Sequence, residues 1–401
     1  MKTTPLAEQS RIVLLGIRNA GKSSLMNALF GKNVAIVSEQ PGTTTDPVTR
    51  SFEIPGLGPA AIVDTAGIDD EGELGTLRVK AAMERIKSAD MVIMVSPGPQ
   101  APTAPERELY TRLFGKESAV RKVPALLVLT RGTESPEKEK QRWMEEAGGF
   151  RVENTAGEGI PDLIAAIGKT APVAEPTPLE GLVTEGDLVV LVTPIDLAAP
   201  KGRLILPQVE TLRDALDHDC ASLVVKEREL YQFYRALNVP PKLVITDSQA
   251  FHKVAADIPE EQPLTSFSIL FARKKGELDG YNPGLAALEK MQPAPRILML
   301  ESCSHHRQAD DIGTVKIPRL FRQMVRRDAE FIFSRQMPKG EELKSFDLVI
   351  MCASCMLTRT KVMTRLDSFR DAGVPVLNYG LFLAWANGLF PRALEPLQSI
   401  F

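Results

Sequence analysis

The segment that most restricts this chain is Gly16-Ile17-Arg18-Asn19-Ala20-Gly21-Lys22-Ser23, set between the apolar run RIVLLGI (11–17) and the helical run SLMNALF (24–30). A strand, a glycine-rich turn and a helix in that order curl main-chain N–H groups around phosphate oxygens at the positive end of a helix. The spacing fits G-x-x-x-x-G-K-[ST] and predicts that Gly16, Asn19, Ala20, Gly21, Lys22, Ser23 and Ser24 cradle a nucleotide's phosphates. Lys22 then reaches the β- and γ-phosphates and Ser23 ligates Mg²⁺. The bland alternative is an ordinary glycine-rich turn, which the strand, loop and helix order disfavours.

Apolar β-branched runs alternate with helical patterns along all 401 residues, which predicts α/β organisation. In the first part the strands read as 11–17, 60–65, 90–96 and 125–130, with helices over 23–30, 76–88 and 161–169. TAPVAEPTP (170–178) carries three prolines in nine residues and marks a stiff connector. Two smaller α/β modules follow. One holds the runs LVVLVTPID, SLVVK, KLVITD and LTSFSI; the other holds the strands RILMLES (296–302), AEFIFS (329–334), FDLVIM (346–351) and VPVLNYG (374–380). The stretch LFARKKGELDGYNPG between them reads as loop. The expected segments are 1–170, a linker over 171–178, then 179–268 and 269–401.

Composition narrows the class further. A net charge of -3 with 6% aromatics argues against a protein whose main task is holding nucleic acid. The apolar runs fall short of the roughly 18 residues a membrane-spanning helix needs, and MKTTPLAEQS is not a signal peptide. Four Cys in so long a chain are too few for a disulfide scaffold, so a reducing cytoplasm is expected.

Two further elements point to a nucleotide switch. Asp64-Thr65-Ala66-Gly67 ends a strand, where Asp64 holds Mg²⁺ through water and the Gly67 N–H senses the γ-phosphate. PGTTTDP (41–47) is a polar loop whose Thr44 is placed to close over the metal. Together NAGKSSLMNAL, PGTTTD and DTAG resemble the translation-factor-related GTPases of the Era and MnmE group. The resemblance implies GTP hydrolysis with Lys22, Thr44 and Gly67 in the catalytic machinery, and a K⁺ ion bound with the help of Asn19. Ile68 follows DTAG, so the water-orienting Gln of Ras-like enzymes is missing and slow turnover is expected. Glu71 and Glu73 are either substitutes for it or solvated switch-loop charges.

The chain departs from that group at the base. Where the group has Asn-Lys-x-Asp, this sequence has Thr130-Arg131-Gly132-Thr133, without the carboxylate that takes two guanine N–H donors. Glu134 is one position away. Asn154-Thr155-Ala156-Gly157-Glu158-Gly159 resembles the second base-contacting loop, with Thr155 and Ala156 facing the base.

The remaining chemistry sits in the third segment. Cys303-Ser304-His305-His306 follows one strand and Met351-Cys352-Ala353-Ser354-Cys355 another, so both clusters lie beyond strand ends that share a crevice in a parallel sheet. Thiolates of this number suit iron–sulfur or zinc. This combination, with long matching stretches such as VTPIDLAAPKGRLILPQV (192–209) and CSHHRQADDIGTVKIPRL (303–320), resembles the FeFe-hydrogenase maturation GTPases, the HydF family. The resemblance implies a GTPase domain, a dimerisation domain forming a homodimer, and a domain holding a 4Fe-4S cluster on Cys303, His305, Cys352 and Cys355. It also implies a scaffold that receives a two-iron precursor from radical S-adenosylmethionine maturases and delivers it to apo-hydrogenase. The family's His at position 351 is replaced by Met351, which reads as the last apolar residue of its strand. His306 reads as a loop neighbour, Asp310 and Asp311 as a helix cap, and Cys220, His218 and His252 as packing or surface residues. An RNA-modification or ribosome-assembly GTPase and a zinc-stabilised, protein-binding GTPase are the alternatives. A radical S-adenosylmethionine enzyme is disfavoured, because Cys-x-x-x-Cys-x-x-Cys does not occur.

Overall fold

The computed structural model describes residues 9–31, 36–40, 49–65, 86, 88–115, 123–170, 175–194, 204–302, 311–338 and 340–398. They fall into two compact units, Met1–Ala174 and Glu175–Phe401.

The first unit is built on a seven-stranded sheet of order β2-β3-β4-β1-β5-β6-β7. Its strands are β1 (Ser10–Leu15), β2 (Ile36–Gln40), β3 (Thr49–Ile54), β4 (Gly58–Asp64), β5 (Met91–Pro97), β6 (Ala125–Thr130) and β7 (Phe150–Arg151). From β4 to β7 the sheet is parallel, as expected for an α/β nucleotide-binding domain. β2 and β3 extend it as an antiparallel edge, which the sequence reading did not anticipate. The tight β3–β4 turn depends on Gly56 and Gly58, at φ +84 and +82, a region that costs other residues strain. Ile12 to Leu15 and Met91 to Val95 are fully or almost fully buried, because covered parallel strands are apolar on both faces.

Helices also form over Ala104–Phe114 and Lys138–Ala147, neither of them anticipated. The first carries Thr103 as N-cap in a capping box with Glu106. Its Glu106 is fully buried, as is Lys140 of the second helix. Lys140 Nζ donates to Glu106 Oε1 at 3.2 Å and to the Pro97 carbonyl at 2.9 Å, while Ser96 Oγ donates to the same carboxylate oxygen at 2.5 Å. Burial lowers the Lys140 pKa and the Glu106 carboxylate opposes that shift. This buried polar knot fixes both helices to the end of β5.

The second unit holds two parallel four-stranded sheets. One has order β11-β10-β8-β9, from β8 (Leu188–Val192), β9 (Ala221–Val225), β10 (Leu243–Thr246) and β11 (Leu264–Ser266). The other has order β13-β12-β14-β15, from β12 (Arg296–Leu300), β13 (Glu330–Ser334), β14 (Leu348–Met351) and β15 (Val376–Asn378). A continuous apolar core runs through both, from Leu179 to Leu397. The helix Phe267–Lys275 joins them, packing on the helices Leu206–Asp217, Arg359–Asp371 and Tyr379–Ala386. It replaces the loop expected from LFARKK, and it runs across the expected 268/269 division. Phe267, Ile269, Leu270, Phe271 and Ala272 are all buried, and with Ser268 the single polar residue among them the stretch shows no readable 3.6-residue alternation. Lys275 at its end is itself buried and pairs with Glu175 at 2.5 Å, which docks the end of the proline-rich connector onto this unit.

Candidate functional site

The phosphate loop leaves the centre of the first sheet, where β1 has β4 on one side and β5 on the other. Such a strand end opens a crevice. Gly16 has no room for a side chain, since a Cβ there would lie 2.1 Å from the Val95 carbonyl oxygen. Asn19 and Gly21 adopt φ +58 and +92, curling the loop into the helix Lys22–Phe30. Lys22 is buried across the loop, donating from Nζ to the carbonyls of Gly16 at 3.0 Å and Ile17 at 2.7 Å. Asn19, Ser23 and Ser24 are exposed and Ala20 is buried beneath the loop.

Parallel register pairs Leu14 with Asp64 and so delivers Asp64 to the start of that helix. Ser23 Oγ donates to Asp64 Oδ2 at 2.5 Å. Asp64 Oδ1 is buried with no hydrogen-bond partner. A buried carboxylate oxygen left unpaired is costly, and this one lies beside a hydroxyl of the kind that ligates Mg²⁺. The pair therefore fits a magnesium ion. Thr65 Oγ1 fixes the strand end by donating to the Leu14 carbonyl at 2.6 Å. Thr44, Ala66, Gly67, Ile68, Glu71 and Glu73 lie outside the described residues.

Two base-side loops close the opposite rim. Thr130 Oγ1 donates to the Ala20 carbonyl at 2.8 Å, and Asn154 Nδ2 to the Gly21 carbonyl at 3.2 Å. Both contacts tie base-side residues to the phosphate loop, and neither role was assigned from the sequence. The Gly132 N–H donates to Val152 O at 2.9 Å, in so close an approach that a Cβ on Gly132 would lie 2.9 Å from the Val152 carbonyl carbon. Thr155 and Ala156 are exposed on the second loop. Glu134, the substitute carboxylate considered from sequence, is exposed; its main chain is held by the Arg131 carbonyl and the Arg151 guanidinium.

In the second unit, β12 and β14 are neighbours with Leu300 opposite Met351, so the segments after both strands leave from one sheet end. Met351 is the last residue of β14 and fully buried. Cys352 continues the ladder through its N–H to Leu300 O at 3.2 Å, and its Sγ accepts the Ser302 N–H at 3.2 Å. Ser354, at φ +53, turns the chain so that Cys355 sits before the helix Arg359–Asp371, whose N-cap is Thr358. The wall around Cys352 is polar and buried: Glu301, Arg365, Tyr281 and Tyr379 are all under one-tenth exposed. Arg365 donates to Ser302 Oγ at 2.7 Å. Burial lowers the Arg365 pKa and the nearby Cys352 sulfur raises it; burial followed by Cys352 pushes the Tyr379 hydroxyl well up. Cys303, His305, His306 and Asp310 lie outside the described residues, and among the described residues no group of three His, Cys, Asp or Glu side chains converges as a metal site.

Asp311 caps the helix that follows it, accepting from the Thr314 N–H at 2.8 Å. Cys220 is buried and donates to the Thr184 carbonyl, and the His218 ring lies against its own helix at Asp214. Among the described residues, no helix is long and apolar enough to cross a membrane.

A phosphate loop at the central strand, an aspartate on the metal side and two loops on the base side define a P-loop GTPase domain. Residues 11–131 match the 50S ribosome-binding GTPase family, residues 179–276 the hydrogen maturase F dimerization domain, and residues 280–396 the hydrogen maturase F tetramerization domain. The chain belongs to the hydrogen maturase F family. Curated relatives that match part of the chain are tRNA modification GTPases. The tRNA modification GTPase MnmE of Nitrosomonas europaea is 37% identical over 172 residues, covering 41% of this chain and 36% of that protein. That of Heliobacterium modesticaldum is 40% identical over 116 residues, covering 29% and 25%. The chain thus spans little more than a third of these relatives at most. Among solved structures, the G domain of the Thermotoga maritima FeoB iron transporter is 21% identical, with a TM-score of 0.30 over 41% of this chain and 99% of that one. Era from Aquifex aeolicus bound to GDP·AlF4⁻ is 19% identical, with a TM-score of 0.32 over 57% and 98%.

Proposed function

We propose that this chain is a GTP-binding and slowly GTP-hydrolysing scaffold in the maturation of FeFe-hydrogenase. It holds a 4Fe-4S cluster and passes a two-iron precursor, received from radical S-adenosylmethionine maturases, to apo-hydrogenase. The observation that carries this reading is the conjunction, in one chain, of the phosphate loop with hydrogen maturase F modules whose β14 ends at Met351 beside β12 and leads into Cys352-Ala353-Ser354-Cys355.

In the first unit, the loop N–H groups and Lys22 hold the β- and γ-phosphates. Ser23 and Asp64 hold Mg²⁺, which neutralises phosphate charge when bound. Asn19 helps to hold K⁺; Thr44 and Gly67 close on the γ-phosphate. Water attacks the γ-phosphorus and the bond to the β-phosphate oxygen breaks, slowly, because Ile68 follows DTAG in place of a water-orienting Gln. Hydrolysis changes the switch loops, which gates a partner's release rather than driving metal chemistry.

In the second unit, Cys303, Cys352 and Cys355 would hold a 4Fe-4S cluster, with His305 or an exchangeable ligand on the remaining iron. The Ser302 N–H donates to Cys352 Sγ, and Arg365 holds the same serine through its Oγ. Residues 179–268 make the homodimer contact and residues from 269 onward carry the cluster. The protein works in the cytoplasm.

Mixing the reconstituted protein with the radical maturases and apo-hydrogenase, then measuring hydrogen evolution, tests the reading. Activation that depends on this chain, together with faster GTP hydrolysis in K⁺ than in Na⁺, is expected. No activation, or hydrolysis of no nucleotide in either salt, contradicts it.

A further inference from the structure

The last turn of the helix Phe267–Lys275 is held from two directions. Its three basic side chains grip the segment that opens the second unit and a neighbouring helix. Arg273 donates to the carbonyls of Glu180 at 2.6 Å and Pro178 at 3.4 Å, Lys275 pairs with Glu175 at 2.5 Å, and Lys274 pairs with Glu210. Its main chain, in turn, holds the helix that follows the cysteines. Arg359 donates from Nη1 to the carbonyls of Arg273 at 3.2 Å, Lys274 at 2.6 Å and Gly276 at 2.7 Å. Carbonyls at a helix end lack partners within the helix, and the dipole there favours a cation. Arg359 opens the helix Arg359–Asp371, and Cys355 stands four residues before it. Between them the Leu357 N–H is bonded to the Ser354 carbonyl at 2.9 Å, which leaves this segment little slack. A Cβ on Gly276 would also lie 3.2 Å from the hydroxyl of Tyr281, a residue of the wall around Cys352.

The first unit ends on a contact with its switch strands. The β3–β4 turn lies between the two switch segments, since β3 follows the loop 41–47 and β4 runs into Asp64-Thr65-Ala66-Gly67. Gly168, in the last turn of the helix Ile160–Lys169, meets that turn main chain to main chain: a Cβ on Gly168 would lie 2.2 Å from the Pro55 carbonyl oxygen. Only residues 170–174 separate Lys169 from Glu175, in the proline-rich connector. A proline-rich link is stiff and passes on a displacement that a glycine-rich one absorbs.

We propose that nucleotide state reaches the cysteine segment by this route, with Arg359 as the coupling residue. A shift of the β3–β4 turn on exchange of GDP for GTP displaces Gly168, the connector draws on Glu175 to Glu180, and the Arg273–Gly276 turn changes the seat of Arg359. That seat is the element with two arrangements, Arg359 being held on the three carbonyls or released from them. The inference rests on the GTP-switch reading above and names how the switch acts on the second unit. Spatial continuity is not itself coupling, so the test cuts the route at two separate places.

The measurement is amide hydrogen exchange over residues 352–366 of the full chain, without added iron, in GDP and in a non-hydrolysable GTP analogue. The parent should show exchange rates that differ by about 5-fold or more between the two nucleotides, as for ordinary coupling between sites. Arg359→Gln should abolish the difference while nucleotide binding is retained. Inserting Gly-Ser-Gly-Ser after Val173 should abolish it too; this variant touches neither core and decides the matter where Arg359→Gln does not fold. Arg370→Gln, on the exposed side of the same helix, should keep it. A difference that persists in either cut variant, or that Arg370→Gln removes as well, overturns the proposal. So does a parent that binds both nucleotides with no difference, whereas a parent that binds neither overturns the GTP-switch reading itself.

Discussion

Lys22→Ala should weaken GTP binding by on the order of 100-fold or more, since the ammonium provides charge-assisted bonds to two phosphates worth about 3 kcal/mol together. The side chain is buried across the loop and held by the Gly16 and Ile17 carbonyls, so it is pre-positioned for phosphate. Preorganisation of this kind lowers the entropy cost of binding. Titration with a fluorescent guanine nucleotide measures the effect, and a residual affinity close to that of the parent would remove the loop from the phosphate site.

Lys140→Met should destabilise the first unit by about 3–5 kcal/mol, the cost of leaving a buried charge without its counter-ion. Lys140 and Glu106 are both fully buried, and the Glu106 carboxylate keeps its bonds from Ser96 Oγ and the Thr103 N–H after the change. Those bonds stabilise an anion that no cation then balances. Adding Glu106→Gln should recover part of the loss, because the neutral amide is cheaper to bury. Urea unfolding of the single and double variants gives the coupling. Equal stability of Lys140→Met and the parent would show that the pair is not the anchor of its two helices.

These two residues differ in how far the sequence announced them. Lys22 sits in a loop whose glycines and spacing are dictated by phosphate geometry, so residue order alone exposes it. Lys140 lies in KEKQRWMEEA, a run of charges that reads as a solvated helix, and its burial depends on Glu106, which is distant in sequence. Asn154 was hidden for the same reason: its partner Gly21 comes to it only when β6 and β7 are placed beside β1 and β5. The helix Phe267–Lys275 lacked a readable periodicity because Phe267, Ile269, Leu270, Phe271 and Ala272 are all buried and only Ser268 interrupts them. By contrast, the relation of Cys352 to the end of β12 was legible, because parallel neighbouring strands put their following segments on one edge. The replacement of the family imidazole by Met351 was legible as well, and burial at the end of β14 accounts for an apolar residue there.

If one chain joins the GTPase domain to an iron–sulfur scaffold, anaerobic reconstitution with iron and sulfide should give, by metal analysis and EPR of the reduced protein, about four iron per chain and a 4Fe-4S signal. That signal should be lost in Cys303→Ala, Cys352→Ala and Cys355→Ala. Stoichiometric zinc with no such signal, or a signal that survives all three substitutions, would contradict the scaffold reading.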